Sequence, residues 1–213
     1  MPKYKVTLFP YEYAILEQEG KSIRLEFNQY REEVEKLLRS FFQQYTFDVP
    51  YYKAFDDFYY AHVKNDLFLL TLDFTKENNQ LIGADFIGDE PNHLEVYYNN
   101  VQLIGKQLKQ VMNELEPLQL KYYVGDPHQY MTSSGMGIYI NDQEYIPEID
   151  DEKDERWIWS IEHLLHCPVC GVGIASDYFD KCLKETGVPQ KTSSWCVFDI
   201  TKDSWFDCRA TEL

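Results

Sequence analysis

The segment whose residue types come nearest to chemistry is Cys167-Pro168-Val169-Cys170-Gly171. Two cysteines at this spacing, beside a proline and a glycine, make a turn that can aim both thiolates at one tetrahedral zinc ion. A structural zinc site needs two more ligands. The chain offers His163, His166, Cys182, Cys196 and Cys208. No second CxxC follows, and the downstream spacings are irregular. A competing reading makes the segment a strand that holds two small apolar cysteines. A redox pair is the least supported of the three. Such a CxxC opens a helix beside a strand in a thioredoxin-like pattern, which is missing here. This reading therefore assigns no metal ligand and no cofactor, and leaves zinc as the alternative.

Other chemistries have less behind them. Ser133-Ser134-Gly135 reads as a loop, and no G-x-S-x-G nucleophile elbow is present. His62, His93, His128, His163 and His166 are scattered. His163 and His166 can share a helix face, but without a third ligand they read as surface or cap residues. Gly135-Met136-Gly137 is too short for a phosphate loop. In a chain with 36 acidic residues, paired carboxylates are mostly solvated charge. No catalytic constellation emerges, so the expectation is a protein that is not an enzyme. The best binding candidate is the acidic run Asp150, Asp151, Glu152, Asp154 and Glu155, followed by Trp157 and Trp159. Tryptophans anchor interfaces with large rigid apolar area, and flanking carboxylates steer a basic partner. The competing reading packs one tryptophan onto the sheet and leaves the acids in solvent.

Composition bounds the partner. The 213 residues carry 36 acidic and 20 basic side chains, a formal net charge of −16. Nucleic-acid binding needs a basic footprint, so the charge argues against general nucleic-acid binding. A basic protein partner fits, as does imitation of nucleic acid or a plain acidic surface that keeps the chain soluble. Hydrophobic content of 44% with 16% aromatics is ample for a packed core. The first residues, MPKYKVTLFPYEYA, place charges and a proline where an export signal has its apolar region. No run approaches the roughly 20 apolar residues of a membrane span. Five cysteines, all from Cys167 onward, favour reduced thiols. Together these predict a cytoplasmic protein.

The elements that must position these groups follow from periodicity. Residues 3–8 and 22–27 alternate as strands, and 11–20 is ambiguous between strand and turn. Asn28 offers a side-chain cap to a helix whose stripe is Val34, Leu37, Leu38 and Phe41. An aromatic loop spans 45–57. Strands are predicted at 58–63, 67–74 and 81–87, with Asn-rich turns at Lys64-Asn65-Asp66 and Glu77-Asn78-Asn79. The order then recurs. Residues 94–98 and 101–104 are extended. Gly105 introduces a helix with the stripe Leu108, Val111, Met112 and Leu115, stopped by Pro117. Short strands follow at 120–124, 130–132 and 137–140. Residues 168–175 read as a strand that pairs with 137–140, which makes 142–166 an insertion holding a short helix around Trp157, Ile158, Ile161, Leu164 and Leu165. A helix at 177–185 and a last strand at 194–200 complete the chain. The two helices lie roughly 75 residues apart, so the pattern reads as an internal duplication.

Several motifs carry a family resemblance. They are Arg31-Glu32-Glu33-Val34-Glu35-Lys36-Leu37-Leu38, the turn Lys76-Glu77-Asn78-Asn79, Leu103-Ile104-Gly105 at the second helix start, Gly135-Met136-Gly137-Ile138-Tyr139, and the strand from Pro168 to Ile174. Across residues 20–180 the chain resembles a largely uncharacterised bacterial family with duplicated helix-plus-meander units, similar in shape to the beta-lactamase-inhibitor-like and SmpA-like folds. It departs from that pattern at Asn28, where the family has glycine, in the insertion 142–166, and after Asp180. The resemblance implies binding of other proteins, in some members as immunity or inhibitor proteins of toxin systems.

The resulting expectation is an α+β fold. It has two tandem helix-plus-antiparallel-meander units, 1–90 and 91–176, and a cysteine- and tryptophan-rich extension, 177–213. The expected function is cytoplasmic protein binding by a monomer or weak dimer, most concretely neutralisation of a basic toxin domain. Neither nucleic acid nor membrane is an expected partner. The alternative is a zinc-stabilised adaptor that uses the cysteine-rich tail.

Overall fold

A computed structural model of the chain describes residues 3–49, 58–65, 67–88, 93–120, 122–126, 129–132, 136–141, 165–176, 196–199 and 204–207. The described residues form a mixed α+β protein, mostly strands, with two short α-helices and two sheets.

The smaller sheet contains β1 (Tyr4–Phe9), β2 (Tyr13–Gln18), β3 (Lys21–Glu26), β8 (Leu94–Tyr98) and β9 (Val101–Gln102), in the order β3-β2-β1-β8-β9. The ambiguous stretch 11–20 is thus strand at its centre. Glu19 and Gly20, both at positive φ (47° and 80°), turn the chain into β3. β1 and β8 run parallel, with Val6 opposite Val96, so this sheet is not purely antiparallel as expected. It draws strands from both sides of residue 90.

The larger sheet is built from two meanders. The first is β4 (Thr46–Asp48), β5 (Phe58–Lys64), β6 (Leu69–Thr75) and β7 (Leu81–Ile87). The second is β10 (Tyr122–Asp126), β11 (Gln129–Thr132), β12 (Met136–Ile140) and β13 (Val169–Ala175). The strand predicted at 168–175 forms and pairs with β12, with Ile138 opposite Val172. β13 also pairs antiparallel with β7, joining the meanders into one sheet. β14 (Cys196–Asp199) lies on β10, and β15 (Ser204–Asp207) follows it, so the strand predicted at 194–200 is not the last.

Two helices begin in the same way. α1 (Arg31–Phe41) and α2 (Leu108–Leu115) have N-caps Tyr30 and Gln107. The Tyr30 N–H donates to the Glu33 side chain (3.0 Å), and the Gln107 N–H to Gln110 (3.2 Å). Two residues before each cap the backbone is left-handed, at Asn28 (φ 70°) and Gly105 (φ 84°). Asn28 is therefore not the side-chain cap that its type suggested. It supplies a tolerated left-handed turn, as glycine does before α2. Asn28 N–H donates to Leu81 O, and Leu81 N–H returns to Gln29 O. Gly105 and Val169 make the corresponding pair of bonds, with Lys106 O as the second acceptor. Single bridges tie Tyr30 to Gln80 and Gln107 to Pro168.

Alternation explains the core. Leu70, Leu72 and Phe74 of β6, Ala84 and Phe86 of β7, Val172 and Ile174 of β13, and Met136, Ile138 and Ile140 of β12 are buried on one face. The helix stripes Val34, Leu38, Phe41 and Leu108, Val111, Leu115 join them in one hydrophobic cluster, while Leu37 and Met112 sit at its margin. Tyr4 of the small sheet meets Phe41, Phe42 and Phe68 at ring separations of 6.1, 5.7 and 5.0 Å. Each such buried side chain stabilises by about 1.5–3 kcal/mol. No described helix is long and apolar enough to cross a membrane.

Candidate functional site

Because side chains alternate along a strand, the residues between the core positions face the opposite side of the large sheet. On that face the register sets out three adjacent rows. One runs His62, Thr71, Asp85, Gly173, Gly137 across β5, β6, β7, β13 and β12. The row on one side reads Tyr60, Asp73, Gly83, Ala175. The row on the other reads Lys64, Leu69, Ile87, Gly171, Tyr139. Asp73 and Asp85 are thus diagonal neighbours, within reach of each other on the pleated surface.

The glycines make room for the carboxyls. A methyl group on Gly173 would overlap Asp85 Oδ1 and lie 2.9 Å from its Cγ. One on Gly83 would overlap Asp73 Oδ2 and lie 3.2 Å from its Cγ. One on Gly171 would come within 3.3 Å of the Tyr139 ring. Both aspartates therefore lie down on bare backbone, and Tyr139 leans toward them from β12. A glycine inside a strand weakens it, and is found where something must approach the backbone closely. Here that something is a pair of acids.

Their electrostatics follow from the enclosure. Asp73 and Asp85 are crowded by protein on most sides, yet each keeps part of its surface open. Desolvation, reinforced by the charge of Asp85, pushes the Asp73 carboxyl up to about 8. Desolvation also pushes Asp85 up, to about 6, and a hydrogen bond from the Tyr139 hydroxyl opposes this. Tyr139 is itself raised, first by burial and then by the neighbouring carboxylates. The two acids titrate as a unit, and at neutral pH the pair holds a proton. Among the described residues no hydrogen-bond donor reaches Asp73. The arrangement can exchange a proton or receive a cation. On β5 the rings of Tyr60 and His62 stack at 5.4 Å beside it.

A second polar cluster lies at the start of α1. Arg31 Nε donates to Glu35 Oε1 (2.7 Å), and Arg39 Nη2 to Glu35 Oε2 (3.3 Å). The Arg31 guanidinium lies 5.1 Å from the centre of the Phe47 ring and bonds Tyr59, whose hydroxyl donates to Asn79 Oδ1 (3.0 Å). These contacts pin α1 to β5 and to the turn before β7. The depression beside them is lined by Tyr30, Arg31, Glu32, Glu35, Asn78 and Asn79, with the Arg31–Glu35 ion pair in its wall.

The expected site residues fare unevenly. Asp150, Asp151, Glu152, Asp154, Glu155, Trp157 and Trp159 lie outside the described residues, as do His163, Cys182, Cys208 and the helix expected at 177–185. Cys167 is buried just ahead of β13, and its carbonyl accepts the first N–H of α2. The Cys170 thiol donates to Tyr139 O (3.6 Å) where the pairing of β12 and β13 shifts register. CPVCG thus runs into an extended strand, and its two cysteines are held by packing and by the sheet. Among the described residues no three His, Cys, Asp or Glu side chains come together as a metal site. Asp73, Asp85 and Tyr139 were passed over in the sequence because each reads as an ordinary outward residue of an alternating strand. The available signal was glycine at alternate positions, Gly171 and Gly173, within a strand.

No family description, no curated protein and no solved structure matches this chain.

Proposed function

We propose that the chain is a non-enzymatic binding protein that neutralises a basic protein partner, in the manner of an immunity or inhibitor protein. The observation that carries this reading is the acidic pair of Asp73 and Asp85, diagonal neighbours on one face of the large sheet, in a chain of net charge −16. Clefts lined by one sign of charge focus the field and speed capture of an oppositely charged partner. Acid–base catalysis is the weaker use of the same carboxyls. It needs a substrate cavity above them. Two depressions among the described residues lie elsewhere, beside Arg31 and between Tyr4 and Asn65. The acidic, tryptophan-bearing stretch 150–159 supplies a second contact in this proposal. The site of action is a cytoplasm, with neither nucleic acid nor membrane involved.

The chain is further proposed to be two copies of one helix-plus-meander unit. The matched left-handed turns at Asn28 and Gly105, the matched bonds to Leu81 and Val169, and the meeting of the meanders at β7 and β13 support it.

The test is capture from the native host at low and high salt, followed by purification of the captured protein and assay of its toxicity or enzymatic activity. The expected result is a stoichiometric basic partner, released by salt, whose activity the chain suppresses. A partner that is acidic, or one whose activity is untouched, overturns the proposal.

A further inference from the structure

The five-stranded sheet buries one face and shows the other. Its core-facing positions, such as Val6, Leu16, Leu25 and Val96, are buried. The positions between them look away from the core. There the register sets Tyr97, Thr7, Ile15 and Arg24 in one row, and Phe9, Tyr13 and Glu26 in the next. Phe9, Tyr13, Ile15 and Tyr97 are half-buried and stand outside the core cluster. Phe9 and Tyr13 stack at 4.4 Å. The charged residues at the outward strand positions, with Lys3 just ahead of β1, pair with one another: Lys3 with Glu95, Lys5 with Glu17 and Arg24 with Glu26. Their charges cancel, in a chain of net charge −16.

The turn that joins β1 to β2 adds an exposed ring. Glu12 N–H donates to Phe9 O (3.0 Å), with Pro10 and Tyr11 between them. Tyr11 sits at φ 67° and is 38% exposed. The turn position after such a proline, at positive φ, belongs to glycine or asparagine, and a bulky side chain there strains the backbone. Fold stability alone therefore selects glycine at this place. What tyrosine adds is a ring presented to solvent, in the chain between the stacked Phe9 and Tyr13.

We propose that this turn and the outer face of the small sheet form the contact through which two copies of the chain associate about a twofold axis. The choice of a second copy follows from charge. Two chains of net charge −16 repel one another, and they meet with least repulsion where the local charge cancels. A twofold axis sets the face against itself, so cations and carboxylates that pair within one copy can also pair across the two. A basic partner is badly served here. Lys3, Lys5 and Arg24 are each the more exposed member of their ion pair. The Arg24 guanidinium lies 3.6 Å from the centre of the Tyr13 ring and the Lys5 ammonium 5.4 Å from that of Tyr97. The rings that would attract a foreign cation thus already hold the chain's own. Tyrosine, phenylalanine and arginine with their charges paired off are the composition of an interface centre. This contact goes beyond the proposed capture of a basic partner and does not rest on it.

The experiment is sedimentation equilibrium of the full chain over a wide range of concentration, at about 50 and about 500 mM NaCl, between which the screening length falls from above about 10 Å to below about 5 Å. The expected result is a reversible monomer–dimer equilibrium that tightens at least about threefold with salt, because screening removes the repulsion between two acidic bodies. Tyr11→Gly should weaken the dimer at least about fivefold while the urea midpoint stays equal or rises, since glycine relieves the turn. A purely structural tyrosine would not separate the two readouts in this way. Ile15→Glu, in the middle of the face, should weaken the dimer further with the circular dichroism spectrum unchanged. A chain that stays monomeric at every concentration and both salts overturns the proposal. So does a dimer that salt loosens, or one that Tyr11→Gly leaves as tight as wild type. A monomeric wild type that captures another protein through Tyr11 also overturns it, since the face then belongs to that protein. Capture of the basic partner weakens with salt, the opposite sign, so failure of the dimer leaves the proposed function standing and failure of capture leaves the dimer.

Discussion

Asp73→Asn should make the protein more stable, and only above a certain pH. In the folded chain the Asp73 carboxyl is pushed up to about 8, against an ordinary value of 3.8. Below pH 4 it is protonated in both folded and unfolded chains, so the nearly isosteric amide changes little. Between about 4 and 8 the unfolded chain has released this proton and the folded chain still holds it. The folded state binds more protons there, so wild-type stability falls as pH rises, by up to about 1.4 kcal/mol per unit. Across roughly four units the ceiling is about 6 kcal/mol. Asp73 keeps some access to water, and Asp85 shares the titration, so about 2–3 kcal/mol is the expected effect. The asparagine variant never ionises and escapes this loss. Urea unfolding followed by far-UV circular dichroism should show nearly coincident curves near pH 3, below the ordinary carboxyl value of 3.8. At pH 8.5 the variant should unfold about 1 M later. A stability difference that does not change with pH would refute the reasoning. So would a variant that is less stable than wild type at pH 8.5, since that would mean an ionised Asp73 with a partner that stabilises it.

Three further outcomes follow from the same face and from the helix starts. Gly173→Ala should destabilise by about 2–4 kcal/mol, because its methyl overlaps the Asp85 carboxyl; in the double variant Gly173→Ala/Asp85→Ala the penalty should shrink by at least about 1 kcal/mol, read from a double-mutant cycle in urea. Tyr139→Phe should raise the Asp85 titration further, since the hydroxyl that opposes the upward shift is gone, and carboxyl 13C NMR would show it. Asn28→Ala and Gly105→Ala should each cost about 1 kcal/mol, while Asn28→Gly should be neutral or slightly stabilising, because both positions hold positive φ; thermal melts compare them.

Most of the architecture was legible because it rests on short-range rules. The stripes of α1 and α2 and the alternation of β5, β6 and β7 each announce a period, and the strand from Val169 was placed against its true partner β12. What escaped depended on distant pairing or on backbone angle. The parallel match of β1 with β8 joins residues some 90 apart, and no local pattern encodes it. Asn28 has the right type for a cap, but its residue type cannot reveal that its φ is 70° and that Tyr30 takes the cap position. The strand β4 hid in a run of aromatics, because three residues are too few to show alternation.

The site was hidden for a different reason. Asp73 and Asp85 stand between apolar neighbours, in L-D-F and A-D-F, and alternation assigns such acids to solvent. That assignment is right about the face and wrong about the environment. What encloses them is register: Asp85 sits opposite Gly173, Asp73 opposite Gly83, and Tyr139 is brought alongside because β13 joins the two meanders. An outward strand position normally carries threonine, lysine or another side chain that shields its neighbours from the backbone. Glycine there does the reverse, letting a short acid fold onto the sheet and lose its water. The residue that betrays the site is therefore the glycine rather than the acid. The acidic run 150–159 was conspicuous for its charge density, which measures solvation, whereas an isolated carboxyl opposite a strand glycine reports desolvation. Desolvation is what makes a carboxylate bind a cation strongly rather than remain exchangeable with salt.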